Sequence, residues 1–424
     1  MPGQPGSLET AEFRLPDYVA DMVHVTTHAD ANALLRSPSF ISFRRPDVSH
    51  FLGGTLIELN GAEHLDRRRL ESQHFRPAEL RRHERELLEA YLAEFFDECR
   101  HHRRDDDGIC RTDLVEDALY LLVRIGAALA GFDGIRTADQ ALRLRQHIDS
   151  WGTGTNLEWV DASPEEQETL YRELVETGDI YKRDYFDPAY ARRQALIDRY
   201  VEGSLASEDL PHDILTTLML NRQSHWDEDY IFRGMAVYLT GSIRTTQRGL
   251  CYAVEEISDW LEQHPSDTEI VTDMEVLKGA VSEALRLRPV IPAIVRRAAE
   301  DVTLPSGAVV RSGEGVAILL YETNRDPAAF GDDADTFDPR RAQRLPAAVP
   351  SYGYAFGAGA HQCMGKSMAI GRRLGDEMTN GTLNTMVYRF FEAGLHRDSE
   401  RPAIRKPGRF NDEYDTYPII LTNL

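Results

Sequence analysis

The sequence predicts one large, mainly helical domain with a small β portion, spanning residues 1–424 behind a short polar tail at residues 1–13. Three observations lead there. Apolar residues recur at helical spacing through most of the chain. The stretch from Trp226 to Glu262 contains no proline. No Pro/Ser-rich linker separates one half from another.

The elements follow in order. Pro77 to Arg100 carries Leu80, Leu87, Leu88, Tyr91, Leu92, Phe95 and Phe96 at helical spacing, and a charged loop, His101 to Gly108, is expected after it. The His101–His102 pair there has no third metal ligand nearby and reads as surface charge. Trp226 to Glu262 is the longest helix candidate, roughly 50 Å at about 1.5 Å per residue. Leu250, Val254, Ile257 and Leu261 form one face of its second half. Thr272 to Leu287 is a further helix, with Thr272 and Glu275 as a capping box and Pro289 as its stop. Strand-like runs appear late, at Val302–Leu304, Ala308–Arg311 and Val316–Leu320.

Composition removes several function classes. With 48 basic and 70 acidic residues the formal charge is −22, the reverse of a nucleic-acid footprint. The four cysteines, Cys99, Cys110, Cys251 and Cys363, form no CxxC pair, so a zinc ribbon or thioredoxin-type site is not expected. Their sparseness suits a reducing cytoplasm. The N-terminal stretch has no apolar signal core. The most apolar run, Leu119 to Phe132, carries Arg124 and falls short of the roughly 20 residues a membrane span needs. A soluble cytoplasmic protein without nucleic-acid or membrane partners is the expectation.

The chemistry concentrates at Phe356 to Gly365, FGAGAHQCMG. Its glycines mark a backbone held close to something flat or bulky. Cys363 follows, and a helix pattern begins after Gly365. A thiolate at a helix start gains from free N–H donors and from the dipole, which suits a sulfur that holds a metal.

This segment resembles the haem-binding loop of the cytochromes P-450, F-G-x-G-x-[HR]-x-C-x-G, at every specified position. The resemblance implies the cytochrome P-450 fold and haem b, with Cys363 as the axial thiolate ligand of iron. It implies that His361 reaches a haem propionate, that Phe356 packs near the sulfur, and that Gly365 belongs to the cofactor loop. Glu283 and Arg286 match the family's E-x-x-R, and Arg341 in FDPRR resembles the third member of that structural network. Arg340 and Ala342, on either side of it, depart mildly from the family pattern. His64 and Arg68 match an H-x-x-x-R whose members point at the propionates, and Arg296 resembles another propionate-binding arginine. The run NRDP, Asn324 to Pro327, is also typical.

The long helix departs from the family. Its usual A/G-G-x-[DE]-T, where an acid beside an alcohol relays protons, is matched here by GSIRTT, Gly241 to Thr246. Thr245 takes the alcohol position and Arg244 the acid position. Arginine is permanently charged and cannot relay a proton as a carboxylate does. Buried, it demands a partner, and two are open: a protein carboxylate, or a substrate carboxylate held bidentately.

The resemblance implies a monooxygenase that inserts one oxygen atom from dioxygen into a small organic substrate, or a related oxidative coupling. Electrons would come from NAD(P)H through a separate ferredoxin or flavodoxin, since no such domain is expected to be fused. Arg67, Arg68, Arg69 and Arg76 are candidates for that partner's docking face. One alternative is a peroxide-driven peroxygenase in which Arg244 binds a substrate carboxylate. Another is a non-catalytic haem sensor or carrier. By position Val237, Thr240, Gly241, Val290, Ile291, Ile294 and Phe410 would line the substrate pocket. A role in bacterial secondary metabolism is expected by analogy alone.

Overall fold

The computed structural model describes residues 15–43, 45–160, 162–223, 226–374, 377–406 and 413–424. Phe410 and the tail at residues 1–13 lie outside the described residues.

The organising element is the helix Glu228–Gln263, 36 residues and so about 54 Å long. It starts because the Asp227 side chain accepts the Tyr230 N–H at 2.7 Å. Its buried stripe includes Ile231, Met235, Leu239, Ile243, Leu250, Val254 and Ile257. It packs chiefly on the helix Leu114–Ala130. Gly126 sits at their crossing, where an added Cβ would meet Leu239 and Ile243 at 3.2 Å. That second helix contains most of the apolar run Leu119–Phe132. Arg124 is tolerated in it because Glu94 accepts from its guanidinium at 2.6 Å while the Tyr91 ring lies 4.4 Å beneath. No described helix is long and apolar enough to cross a membrane.

One buried cluster draws on residues from Val48 to Leu421. Beside it stands a four-stranded sheet in the order Val23–Val25, Gly315–Leu319, Ala293–Ala298, Phe40–Ser42. The first pair is parallel and the others antiparallel. Arg296 lies opposite Val316 on one side and Ser42 on the other. Val302–Thr303 and Val309–Val310 form a separate two-stranded hairpin.

Two local expectations are corrected and a third is met. The helix from Pro77 continues through a wider π-helical turn at His83–Leu88 and runs to His102, so His101 and His102 occupy its last turn and not a loop. Arg100, in the same turn, suits the helix's negative end. Among the described residues no group of three or more His, Cys, Asp or Glu side chains is placed to hold a metal ion. The later helix is Met274–Leu287, capped by Asp273, whose carboxylate accepts the Glu275 and Val276 N–H groups. Thr272 instead closes the preceding turn, donating to the Thr268 carbonyl. Finally, a helix does begin after Gly365, and it spans Lys366–Ile370. Gly371 ends it at φ +74, where a Cβ would lie 2.1 Å from the Thr379 carbonyl, and Thr382–Glu392 resumes beyond a short hairpin.

Candidate haem-thiolate site

The cysteine loop is fixed first by its backbone. Gly357 N–H donates to the Tyr354 carbonyl and Cys363 N–H to the Phe356 carbonyl, both at 2.8 Å. Gly359 sits at φ +68 so close to Leu35 that a Cβ would stand 2.1 Å from its carbonyl oxygen. Phe356 is half-buried against the main core with Tyr352 edge-on. The Cys363 side chain is accessible. Apolar surroundings push its thiol up, while the Gly365 and Lys366 N–H groups and the Arg68 and Lys366 charges favour the thiolate.

Beside the sulfur lie two imidazoles and two guanidinium groups. His64 and His361 stack with ring centroids 4.0 Å apart. Arg68 Nη2 donates to the Gln362 carbonyl at 2.7 Å, and Arg296 projects from its strand beside the loop, donating to the Val295 carbonyl. Burial, then His64, Arg296 and Arg68, hold His361 down at about 3. Burial, Arg68 and Arg296 lower His64 as well. The charges acting on both imidazoles are therefore cationic. His64 Nε2 is buried with no hydrogen-bond partner among the described residues. An orphaned buried nitrogen beside two guanidinium groups fits an anionic ligand. Haem carries two carboxylates, and the glycine cradle and accessible sulfur fit its flat ring and iron.

On the long helix Tyr238, Gly241, Ser242 and Thr245 are spaced to share one face, and none of them is buried. A Cβ on Gly241 would meet nothing within 4 Å. The Thr245 hydroxyl donates to the Gly241 carbonyl at 2.5 Å. Burial depresses Arg68, and the charges that counter it come from Cys363, Tyr238 and Glu71. Arg68 therefore lies between the cysteine loop and this open face.

Arg244 turns away from that face. Its Nε donates to Asp149 Oδ1 at 2.5 Å and its Nη2 to Oδ2 of the same carboxylate. Asp149 belongs to the helix Ala138–Gly154, where Arg145 also approaches it at 3.5 Å. Asp149 thus occupies the Nε–Nη2 side of the guanidinium, while Nη1 is buried with no hydrogen-bond partner among the described residues.

Away from the loop, Glu283, Arg286 and Arg341 form a fully buried network. Arg286 grips both Glu283 oxygens at 2.7 Å, and Arg341 Nε adds a third contact at 2.7 Å. The remaining guanidinium donors meet Asp333 and the carbonyls of Asn324, Phe330, Ala334, Asp333 and Thr336. Asn324 ties this network to the cysteine segment: its amide donates to the Arg286 carbonyl and its Oδ1 accepts the Tyr354 N–H at 2.8 Å.

The positional pocket residues divide. Ile294 lies beside Gly357, within 3.7 Å of where a Cβ there would stand. Val237 is half-buried against the main core and Val290 is buried in it, whereas Ile291 is exposed. Thr240 leans on Gly152 and donates to the Ala236 carbonyl. Of the four docking arginines, Arg69 and Arg76 are exposed. Arg67 is not: its side chain is 2% exposed and pairs with Glu71. Sequence reasoning missed Asp149, Glu71 and Tyr238. Each acts as a partner across the fold, for which the sequence carries no local signal.

Comparison with known proteins agrees with this architecture. The family model "Cytochrome P450" (P-450) matches residues 202–372. The 20-oxo-5-O-mycaminosyltylactone 23-monooxygenase of Streptomyces fradiae is 36% identical over 110 residues, 26% of this chain and 24% of that protein. The mycinamicin VIII C21 methyl hydroxylase of Micromonospora griseorubida is 36% identical over 124 residues, 29% of each. Other curated relatives are matched over 18%, 42% and 47% of their own length, so the matched stretches span less than half of these proteins. The solved structure of HmtT, involved in himastatin biosynthesis, superposes with a TM-score of 0.69 at 22% identity, covering 93% of this chain and 91% of that one. CYP109B1 from Bacillus subtilis superposes with the same score at 19% identity over 95% and 94%. The fold is that of the cytochromes P-450, and that family's model matches this chain over residues 202–372, the cysteine loop included.

Proposed function

We propose that this protein is a haem-thiolate monooxygenase that inserts one oxygen atom from dioxygen into a small organic substrate. Electrons would come from NAD(P)H through a separate ferredoxin or flavodoxin. The observation that carries the reading is the Thr245 hydroxyl on the open face of the long helix, one turn above the open Gly241.

Cys363 would ligate the iron, and His64, Arg68, Arg296 and His361 would hold the carboxylates. Haem supplies oxygen activation when bound, the thiolate favouring O–O cleavage. The remaining tasks belong to the chain. The Gly357–Gly359 backbone orients the flat group, and Ile294 keeps water from one edge. Thr245 Oγ1 holds a proton against the Gly241 carbonyl and is the group that would pass it on. Arg244 takes no part in that transfer, because Asp149 occupies it. Arg244 already has a carboxylate partner in Asp149, so the substrate needs no carboxylate to balance its charge.

The test is NADPH-dependent turnover with surrogate redox partners, after a ferrous–CO spectrum has established thiolate-bound haem. Thr245→Ala should still consume NADPH while diverting most of its electrons from product to peroxide. Wild-type coupling in that variant would remove Thr245 from the mechanism. Persistent absence of turnover with a ligand that shifts the spin state would favour a haem sensor or carrier.

A further inference from the structure

The helix Gly61–Glu71 carries His64 and Arg68, yet its buried residues are His64, Arg67 and Glu71. Of its two leucines, Leu65 is exposed and Leu70 is half-buried against the main core. A helix this short with so little apolar contact needs further docking forces. The structure shows them. Arg67 lies flat over Trp226, 4.2 Å from the ring centroid, and over Tyr230 at 4.8 Å. Gly234 on the long helix makes room for it, since a Cβ there would stand 2.8 Å from Arg67 Nη2. Arg67 Nε donates to Glu71 Oε1, and the Tyr238 hydroxyl donates to Glu71 Oε2 at 2.5 Å.

We propose that Arg67, Glu71 and Tyr238 form a polar lock that sets the position and the electrostatics of Arg68 and His64 toward haem's carboxylates. This rests on the haem-binding reading above. Residues 64, 67, 68 and 71 follow one helix stripe, so fixing Glu71 and Arg67 fixes the turn from which Arg68 reaches the cysteine loop. Glu71 and Tyr238 are positioning residues: neither touches the Gln362 carbonyl that Arg68 holds. Glu71 is also the carboxylate whose charge bears on Arg68. Removing its charge leaves the cations around the ring less compensated, which favours the reduced state of a nearby iron.

The experiment compares wild type, Tyr238→Phe and Glu71→Gln as purified ferric proteins. Three quantities are read: the rate of haem transfer to an apo-globin scavenger, the ferric/ferrous midpoint potential, and urea unfolding. Tyr238→Phe should release haem about tenfold faster, the scale of one hydrogen bond to a charged group, with unfolding and the ferrous–CO band unchanged. Glu71→Gln should release haem faster and also move the potential upward, and the double variant should be no worse than Glu71→Gln alone. Haem release at the wild-type rate in Tyr238→Phe would overturn the lock. So would losses that track urea stability in both variants, because that is ordinary packing. A wild type without a thiolate-type ferrous–CO band would overturn the haem reading itself, which this comparison therefore separates from the lock.

Discussion

Arg244 shows how one contact decides a residue's chemistry. A guanidinium presents its donors in a planar fork, and Asp149 takes the Nε and Nη2 side of it. The pair is partly exposed, at 17% and 31%, so its worth is that of a screened ion pair. Arg244→Ala should therefore cost only about 1–2 kcal/mol in urea unfolding, the more so because Arg145 remains beside Asp149. The more telling measurement is an optical titration of wild type and Arg244→Ala with carboxylic acids and their methyl esters. Acids and esters should behave alike in both proteins. A spin-state shift by acids alone, lost in the variant, would return Arg244 to the substrate. At this scale the sequence identifies an arginine in the acid's place and the need for a partner. It does not identify Asp149, because a pairing across 95 residues leaves no mark on local spacing. Arg67 illustrates the same gap: within a run of four charged residues, Asp66 to Arg69, nothing distinguishes the buried arginine from its exposed neighbour Arg69.

At the scale of elements, legibility follows how local the determining forces are. The helix Glu228–Gln263 is readable within two residues at each end, because an uninterrupted apolar stripe and a capping aspartate are local features. The start of Met274–Leu287 is displaced, because Thr272 and Asp273 are both capping types and tertiary geometry chooses between them. The break after Ile370 is not visible in hydrophobic pattern, since it depends on Gly371 meeting the Thr379 backbone. Glu283 and Arg286 lie three residues apart on one helix, a spacing that ordinarily gives a weak surface pair. Burial and the addition of Arg341 change the magnitude. Glu283→Ala leaves two buried guanidinium groups sharing only Asp333 and carbonyl oxygens, and should cost about 3–5 kcal/mol. Urea unfolding of the haem-loaded protein would measure it. A loss below about 1 kcal/mol would mean that the carbonyl cage alone compensates the two charges. The effect should reach the cysteine segment, because Asn324 joins the Arg286 carbonyl to the Tyr354 N–H.

For the whole molecule, titratable groups wholly or partly withdrawn from water set how stability responds to pH, and two of them act in opposite senses. His83 is buried, shares a hydrogen bond with the Thr382 hydroxyl at 2.9 Å, and is lowered by burial and then by Arg82 to about 4. The unfolded chain takes up that proton near 6.5 and the folded one does not. Its contribution is thus intact above 6.5 and is lost as the pH falls toward 4, by about 3 kcal/mol in total. Glu256 is raised by burial and then by Asp259 to about 7, with Arg325 opposing. The folded chain keeps this proton up to neutrality, whereas the unfolded chain releases it near 4.5. Its contribution is intact at low pH and is lost as the pH rises from about 4.5 to 7, again by about 3 kcal/mol. Between pH 4.5 and 6.5 the two slopes oppose each other, so the pair flattens the stability curve of the wild type there. Single substitutions should expose each slope. Taken as a difference from wild type, which cancels the other titrating groups, His83→Gln should gain stability steadily on acidification from pH 6.5 to 4. Glu256→Gln should gain it on raising the pH from 4.5 to 7. Urea unfolding at half-unit pH steps reads both differences. A pH-independent offset in either variant would show that the group it replaces does not titrate across this window.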